Sequence, residues 1–387
     1  MFLTIITFIL ILSLLVFVHE MGHFVTAKRA GVRVDEFGFG LPPRLFGIYR
    51  VDGKWKIATR KTKETQNTIY SINWLPLGGF VKIKGEGGEL ATDEDSLAAK
   101  SAGRRAWVIS SGVVMNVVLA MVLLSIGYYV GLPQIIDNHE IKGAKISEGK
   151  VQVIEVVDRL PAQKEGVQMG DTFVSIDGIE FMEIEEIQEY LDSKLAQEIS
   201  LVISRGDEQI SKVLTPEINP ETERAGIGVA IVKTATVSYP IHLAIWQGIT
   251  TTFYLMKAII VAFYELFRNL LVSKNVVVDV AGPVGIAVLT GQVARLGIIY
   301  ILQFAALLSL NLAIINFAPF PALDGGRLLF IIIEKIRGKA INQKIENLIH
   351  NLGFSLLLLL ILFVTFRDIS KLSNGFANLV NYVKDIF

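Results

Sequence analysis

Residues 19–23 read His-Glu-Met-Gly-His and lie inside the apolar run from Phe2 to Val25, a stretch long enough to cross a bilayer. Charge at that depth constrains the fold more than any other feature of the chain. An acidic residue near the middle of a spanning helix costs about 2.5–3.5 kcal/mol on the insertion scale, so it persists where a function needs it. Helical residues four apart share a face, with roughly 5–6 Å between Cβ atoms. The imidazoles of His19 and His23 can therefore converge on one metal ion. Zinc brings the pKa of its water to about 7. Glu20, beside the first histidine, is placed to take that water's proton as general base. The motif and its location together imply an intramembrane zinc metalloprotease.

Hydrophobic residues make up 52% of the 387 and charged residues 19%, with 37 basic against 37 acidic side chains. That balance argues against a nucleic-acid partner. Cysteine is absent, so any zinc must be held by histidine and carboxylate. Nothing before His19 has the charged n-region or small-residue cleavage site of a removable signal peptide, so the first run reads as a retained span.

Four runs read as spans, over about 2–27, 106–130, 298–333 and 348–367. Lys28, Arg29 and Arg33, with Lys100, Arg104 and Arg105, assign the segment 28–105 to the cytoplasmic side, together with 334–350. The two termini and the residues from 131 to the third span then lie outside. Alternation in residues 55–59 and 80–84, between Gly-rich and Pro-rich turns, predicts small β-hairpins over 38–86. The first half of the membrane core is thus 1–133. Residues 134–235 have no long apolar run and predict a soluble α+β domain. Residues 236–297 predict an outer-face, membrane-associated segment, and 298–387 the second half of the core.

A third metal ligand is needed, and Asp324, within Asn316-Phe317-Ala318-Pro319-Phe320-Pro321-Ala322-Leu323-Asp324-Gly325-Gly326, is the candidate carboxylate. At 1.5 Å per residue the histidines fall near the cytoplasmic third of the first span, so Asp324 must also lie toward the cytoplasm. The helix leading to it must run inward. If 242–267 crossed as well, Asp324 would emerge on the wrong face; Lys257 and Glu265 suit a surface helix there. Pro319 and Pro321 remove backbone donors and break the third span, which is tolerated at membrane depth where protein or a watery cavity surrounds it. Gly325 and Gly326 permit either close approach or unusual dihedrals.

Residues 160–178, with a Gly170-Asp171 turn, a predicted helix over 183–193 and a strand over 199–204, resemble a PDZ domain. The His-Glu-Met-Gly-His span, the 316–326 run and this PDZ-like domain together resemble the site-two protease family of membrane zinc metalloproteases, in its bacterial regulator-of-sigma-E type. Gly38-Phe39-Gly40, residues 76–82 and 282–286, and Ser309-Leu310-Asn311-Leu312 match further. The resemblance implies a polytopic α-helical protein of a bacterial cytoplasmic membrane, with four spans, a membrane-associated β-hairpin region and one extracytoplasmic PDZ-like domain. It implies cleavage of the transmembrane segments of single-pass membrane proteins, as in regulated intramembrane proteolysis of an anti-sigma factor or a remnant signal peptide. His19, His23 and Asp324 would bind Zn2+, Glu20 would activate water, the 38–86 hairpins would present extended substrate, and the PDZ-like domain would take peptide termini or extended segments. Two departures stand out: one PDZ-like domain rather than a tandem, and Ser111-Gly112-Val113-Val114-Met115-Asn116 where the family often has Ala-Gly-Pro ahead of its asparagine. Asn116 and Asn316 are candidates for hydrogen bonding substrate or a developing oxyanion, or for bridging membrane helices. The alternative function is a non-catalytic, PDZ-bearing membrane chaperone or scaffold, indifferent to Glu20.

Overall fold

An apolar run in a bilayer must satisfy its backbone within the segment, so long runs free of proline close into helices. The computed structural model describes residues 2–384 apart from 61, 63–64, 66, 136–142, 148, 158–159, 182, 207, 220–222, 273–280 and 340. In chain order the elements begin α1 (Phe2–Arg29), β1 (Val34–Val51), β2 (Lys54–Ala58), β3 (Ile69–Ile83) and α2 (Ala102–Val130). There follow β4 (Leu132–Ile135), β5 (Lys145–Ile146), β6 (Lys150–Val156), α3 (Pro161–Lys164), β7 (Thr172–Ile176) and α4 (Ile184–Ser193). Next come β8 (Ile199–Arg205), β9 (Glu208–Leu214), β10 (Glu217–Ile218), β11 (Ala225–Gly226) and β12 (Val229–Ser238). The chain closes with α5 (Ile241–Val272), α6 (Pro283–Leu296), α7 (Ile298–Phe317), α8 (Asp324–Arg337) and α9 (Gln343–Lys384).

Among the described residues, four helices are long and apolar enough to cross a membrane: Leu3–Arg29, Ala102–Val130, Ile298–Phe317 and Gln343–Ser370. α5, although 32 residues long, is not among them. The run expected to span over 298–333 is two helices: α7 stops at Phe317 and α8 starts at Asp324. The reason is local, because Pro319 and Pro321 cannot donate to the helix ladder and their rings clash with the preceding turn. The last apolar run, expected over 348–367, lies within the longer α9. The hairpins expected over 38–86 form a single three-stranded sheet, ordered β2-β1-β3, that begins at Val34 and ends at Ile83.

Contacts divide the chain into two units, one of residues 1–124, 249–291 and 304–387, the other of 125–248 and 292–303. In the first, β3 lies along α1 just ahead of the histidines. Ser13 Oγ donates to the Pro76 carbonyl at 2.9 Å and accepts from the Gly78 N–H at 3.2 Å. A Cβ at Gly78 would stand 2.6 Å from Val16 Cβ, so only glycine lets the strand approach the helix this closely. Phe37 of β1 stacks on Phe24 of α1 with ring centroids 4.6 Å apart. The sheet also exposes large apolar side chains, among them Phe46, Trp55, Ile57, Ile72, Trp74 and Leu75.

The second unit carries a seven-stranded sheet, ordered β4-β12-β6-β7-β8-β9 with β5 also paired to β12. Ile199, Leu201 and Ile203 alternate along β8 and are all but completely buried, the period-two signature of a strand with one face on a core. Ile187 and Leu191, one turn apart on α4, join the same cluster with Val151, Val153 and Val167. The carboxylate of Asp171, at the turn before β7, is 1% exposed. It accepts from Arg205 Nε and Nη2, both at 2.7 Å, and from the Gln168 N–H at 2.8 Å. Removing it would take away two of the guanidinium's hydrogen bonds and leave the Gln168 N–H without its acceptor. We expect Asp171→Ala to destabilise this unit by about 1.5–3 kcal/mol, the range for hydrogen bonds to charged groups, measured as a lower denaturant midpoint for the intact protein.

Candidate metal centre

α1 carries His19 and His23 one turn apart, and both rings are buried. Their planes meet edge to face with centroids 4.8 Å apart, and the two Nε2 atoms are separated by 3.2 Å. Asp324, the first residue of α8, brings its Oδ2 to 3.0 Å from His19 Nε2 and 3.4 Å from His23 Nε2. Among the described residues these three form the group of histidine and carboxylate side chains able to hold a metal.

Proton placement decides what the triangle can do. His23 Nδ1 lies 2.9 Å from the Val108 carbonyl of α2, an acceptor, so that nitrogen carries the hydrogen and Nε2 offers a lone pair. His19 Nδ1 faces the Asn116 side-chain amide at 3.4 Å, while Asn116 Oδ1 is buried without a partner. A half-turn of that amide places its oxygen against an Nδ1–H of His19, satisfies both groups, and leaves His19 Nε2 as a second lone pair. Asp324 Oδ2 likewise has no hydrogen-bond donor. A proton shared between one ring and the carboxylate would satisfy a single pair, whereas one cation satisfies all three. A tetrahedral zinc with ligands at about 2.0–2.1 Å sets neighbouring ligand atoms about 3.3–3.4 Å apart, close to the edges of this triangle.

Space beside the two Nε2 atoms is kept by a residue that sequence reasoning did not single out. A Cβ on Gly112 of α2 would stand 2.4 Å from His23 Nε2 and 2.7 Å from His19 Nε2. Gly112 is four residues before Asn116, on the same face of α2, and that spacing was the available signal. A Cβ on Gly22 would lie 2.4 Å from the Ser111 carbonyl, and the Thr26 and Ser111 hydroxyls are 2.7 Å apart, so α1 and α2 cross closely here.

Glu20 is half-buried on α1, in an electrostatic neighbourhood that includes both histidines, Asp324 and Glu86. Glu86, after β3, pairs with Arg327 on the first turn of α8. Asn116 is fully buried, and its carbonyl accepts from Ser309 Oγ of α7 at 2.8 Å. Asn316 is half-buried in the last turn of α7, and no hydrogen bond joins it to the histidines. Gly325 and Gly326 serve close approach: a Cβ on the first would be 2.2 Å from the Ala318 carbonyl, and on the second 2.3 Å from that of Phe320.

The model of peptidase family M50 matches residues 7–360. The chain belongs to peptidase family M50, the site-two proteases. An M50 relative from Clostridium perfringens, named as a zinc metalloprotease, is 34% identical over 93% of this chain and 97% of its own. Zinc metalloprotease RasP of Geobacillus kaustophilus is 30% identical over 95% and 98%, and regulator of sigma-W protease RasP of Bacillus subtilis is 29% identical over 95% and 99%. Among solved structures, the PDZ domain of an SdrC-like protein from Listeria monocytogenes is 24% identical, covering 24% of this chain and 93% of that one with a TM-score of 0.20. This M50 protein is a multi-pass membrane protein and a zinc-dependent hydrolase of peptide bonds.

Gly112→Ala should lower zinc affinity by at least about tenfold, the scale of losses when groups around a metal site are disturbed. Chelator competition on the purified protein measures it, and unchanged affinity would remove Gly112 from the site.

Proposed function

We propose that His19, His23 and Asp324 hold the zinc and that Glu20 is the general base of an endopeptidase cutting within the transmembrane segments of single-pass membrane proteins. The observation that carries this reading is the convergence of two Nε2 atoms, on a helix apolar enough to span a membrane, with one carboxylate oxygen of α8, 3.0–3.4 Å apart. Zinc bound there supplies a Lewis acid that makes water acidic enough to attack at neutral pH. Glu20 takes the proton of the attacking water and returns it to the leaving amine, which is how a single carboxylate serves both halves of the reaction. Asn116 holds the His19 ring in one orientation through Nδ1. Asn316, free of the histidines at the edge of the helix break, is the amide left to hydrogen bond an extended substrate backbone.

Regulated intramembrane proteolysis is the fitting setting, since a helical substrate must be extended before its carbonyls can be attacked. The sheet β2-β1-β3 lies on α1 beside Glu20 and exposes aromatic side chains suited to apolar surroundings. The 134–235 region, as a PDZ-like domain, takes peptide termini or extended segments by strand addition. Regulator of sigma-W protease names the role of the Bacillus subtilis relative, and an anti-sigma factor or a signal-peptide remnant is the substrate class proposed for this chain.

Purified protein in detergent, given a tagged single-span substrate with its outer domain trimmed, tests the chemistry. Glu20→Gln should cut turnover by about 10²–10⁴-fold with zinc retained, and Asp324→Ala should lose zinc. Undiminished cleavage by Glu20→Gln would move the scaffold reading to first place. The orientation is tested separately, because a chain without cysteine accepts single reporters. Ser193→Cys, exposed on the soluble domain, should react with a membrane-impermeant maleimide from outside the cell, and Lys335→Cys, exposed on α8, should react only after permeabilisation.

A further inference from the structure

The carboxylate of Asp324 is aimed by a six-residue connection between α7 and α8, and the last part of that connection is a tight turn. The Leu323 N–H donates to the Phe320 carbonyl at 3.2 Å, Pro321 occupies the second position, and Ala322 in the third has φ +79°. This is the pattern of a type II turn, whose third position favours glycine because a side chain there is strained. Alanine would be comfortable in the type I turn that differs by a flip of the Pro321–Ala322 peptide. Something outside the turn must select the strained form.

α9 provides it. The Ala322 N–H, which a type II turn leaves unpaired, donates to His350 Nδ1 at 3.0 Å. The other ring nitrogen of His350, Nε2, is buried with no partner, so the Nδ1 contact is what the ring's polar edge accomplishes among the described residues. Three residues on, and so on the neighbouring part of the same helix face, Gly353 lets α9 press against the turn. A Cβ there would be 2.4 Å from Pro321 Cβ and 2.7 Å from the Pro321 oxygen. The peptide that would have to flip is thus held by one helix, α9, at its N–H by the His350 acceptor and at its oxygen by the close approach at Gly353.

We propose that His350 is a positioning residue for the reaction: by accepting the Ala322 N–H it holds the Phe320–Leu323 turn in its strained form, which fixes the direction in which Asp324 enters the site. The inference rests on the reading of Asp324 as a zinc ligand. It makes His350 essential for its acceptor at Nδ1 alone, and it makes the strain at Ala322 the reason an acceptor is required.

The test uses the full chain in detergent, with zinc affinity from chelator competition, the visible absorption of the Co2+-substituted protein, and kcat and KM on a trimmed single-span substrate. His350→Leu should weaken zinc binding about tenfold, alter the cobalt bands and lower kcat with KM little changed. Adding Ala322→Gly to His350→Leu should restore most of both, since glycine adopts the turn without help. His350→Asn puts an oxygen where Nδ1 stands and should remain near wild type, whereas His350→Gln puts it nearer the place of Nε2 and should not. That pair decides the matter even if His350→Leu fails to fold. Wild-type zinc affinity and cobalt bands in His350→Leu, no recovery with Ala322→Gly, or Gln outperforming Asn would each overturn the proposal. Asp324→Ala is measured alongside. If it keeps zinc, the ligand reading itself fails; if it loses zinc while His350→Leu does not, only the positioning role falls.

Discussion

Three buried acceptor atoms within 3.0–3.4 Å of one another are mutually repulsive unless a positive charge lies among them, and the arrangement of the membrane core follows from that requirement. α1 supplies two of the acceptors through helical periodicity alone. The third arrives on α8, from a distant part of the chain. The crossing of α1 and α2 must be tight enough for the Val108 carbonyl and the Asn116 amide to reach the outer nitrogens of the two rings. Gly22 and Gly112 are the consequence: one admits the α2 backbone, the other leaves room beside the two Nε2 atoms.

The break between α7 and α8 illustrates how irregular backbone survives in an apolar setting. The Ala318 N–H donates to Ile315 at 3.0 Å, Phe320 to Ala318 at 2.7 Å, and Leu323 to Phe320 at 3.2 Å. The Leu323 carbonyl then opens α8 by accepting from Gly326 at 3.0 Å. Two prolines remove two donors that would otherwise need partners, so the connection is nearly self-satisfied. Gly325 and Gly326 let the first turn of α8 fold back on carbonyls of the end of α7 and of the connection, which brings a helix start, with its favourable field for a carboxylate, under Asp324.

The β-sheet on α1 answers a different physical demand. Its long strands expose tryptophans and aliphatic side chains that a water-facing sheet would hide, while glycines 78 and 79 bring β3 against the turn of α1 that precedes Glu20. The second unit, by contrast, has the alternating pattern of a water-soluble sheet and buries a carboxylate, Asp171, that pairs with the half-buried Arg205 at its turn. The same chain thus solves two solvent problems with two kinds of strand.

Periodicity and composition, both local properties, made much of this legible from the residues. The apolar runs gave the four helices that, among the described residues, are able to cross a membrane, the one-turn spacing put His19 and His23 on one face, and alternation gave β2 and the end of β3. The absence of cysteine limited the donor set, and Pro319 with Pro321 marked the break. The sequence left the third run as one interrupted span, because a proline pair signals disruption without saying whether a helix kinks or ends. It could not separate the roles open to Asn116, since an amide on a helix face has no meaning until its neighbour is known. The Pro321–Ala322 turn was invisible for the same reason, since Pro-Ala carries no preference for φ +79°, and Gly112 showed only its spacing from Asn116, because a lone glycine in an apolar helix has many uses. The sequence by itself determined that its long apolar runs are helical and which face of α1 carries the histidines, because hydrogen bonding along a helix is decided within a few residues. Only the tertiary structure decided what those histidines meet, because approach distances between helices are set by side-chain volume contributed from segments far apart in the chain.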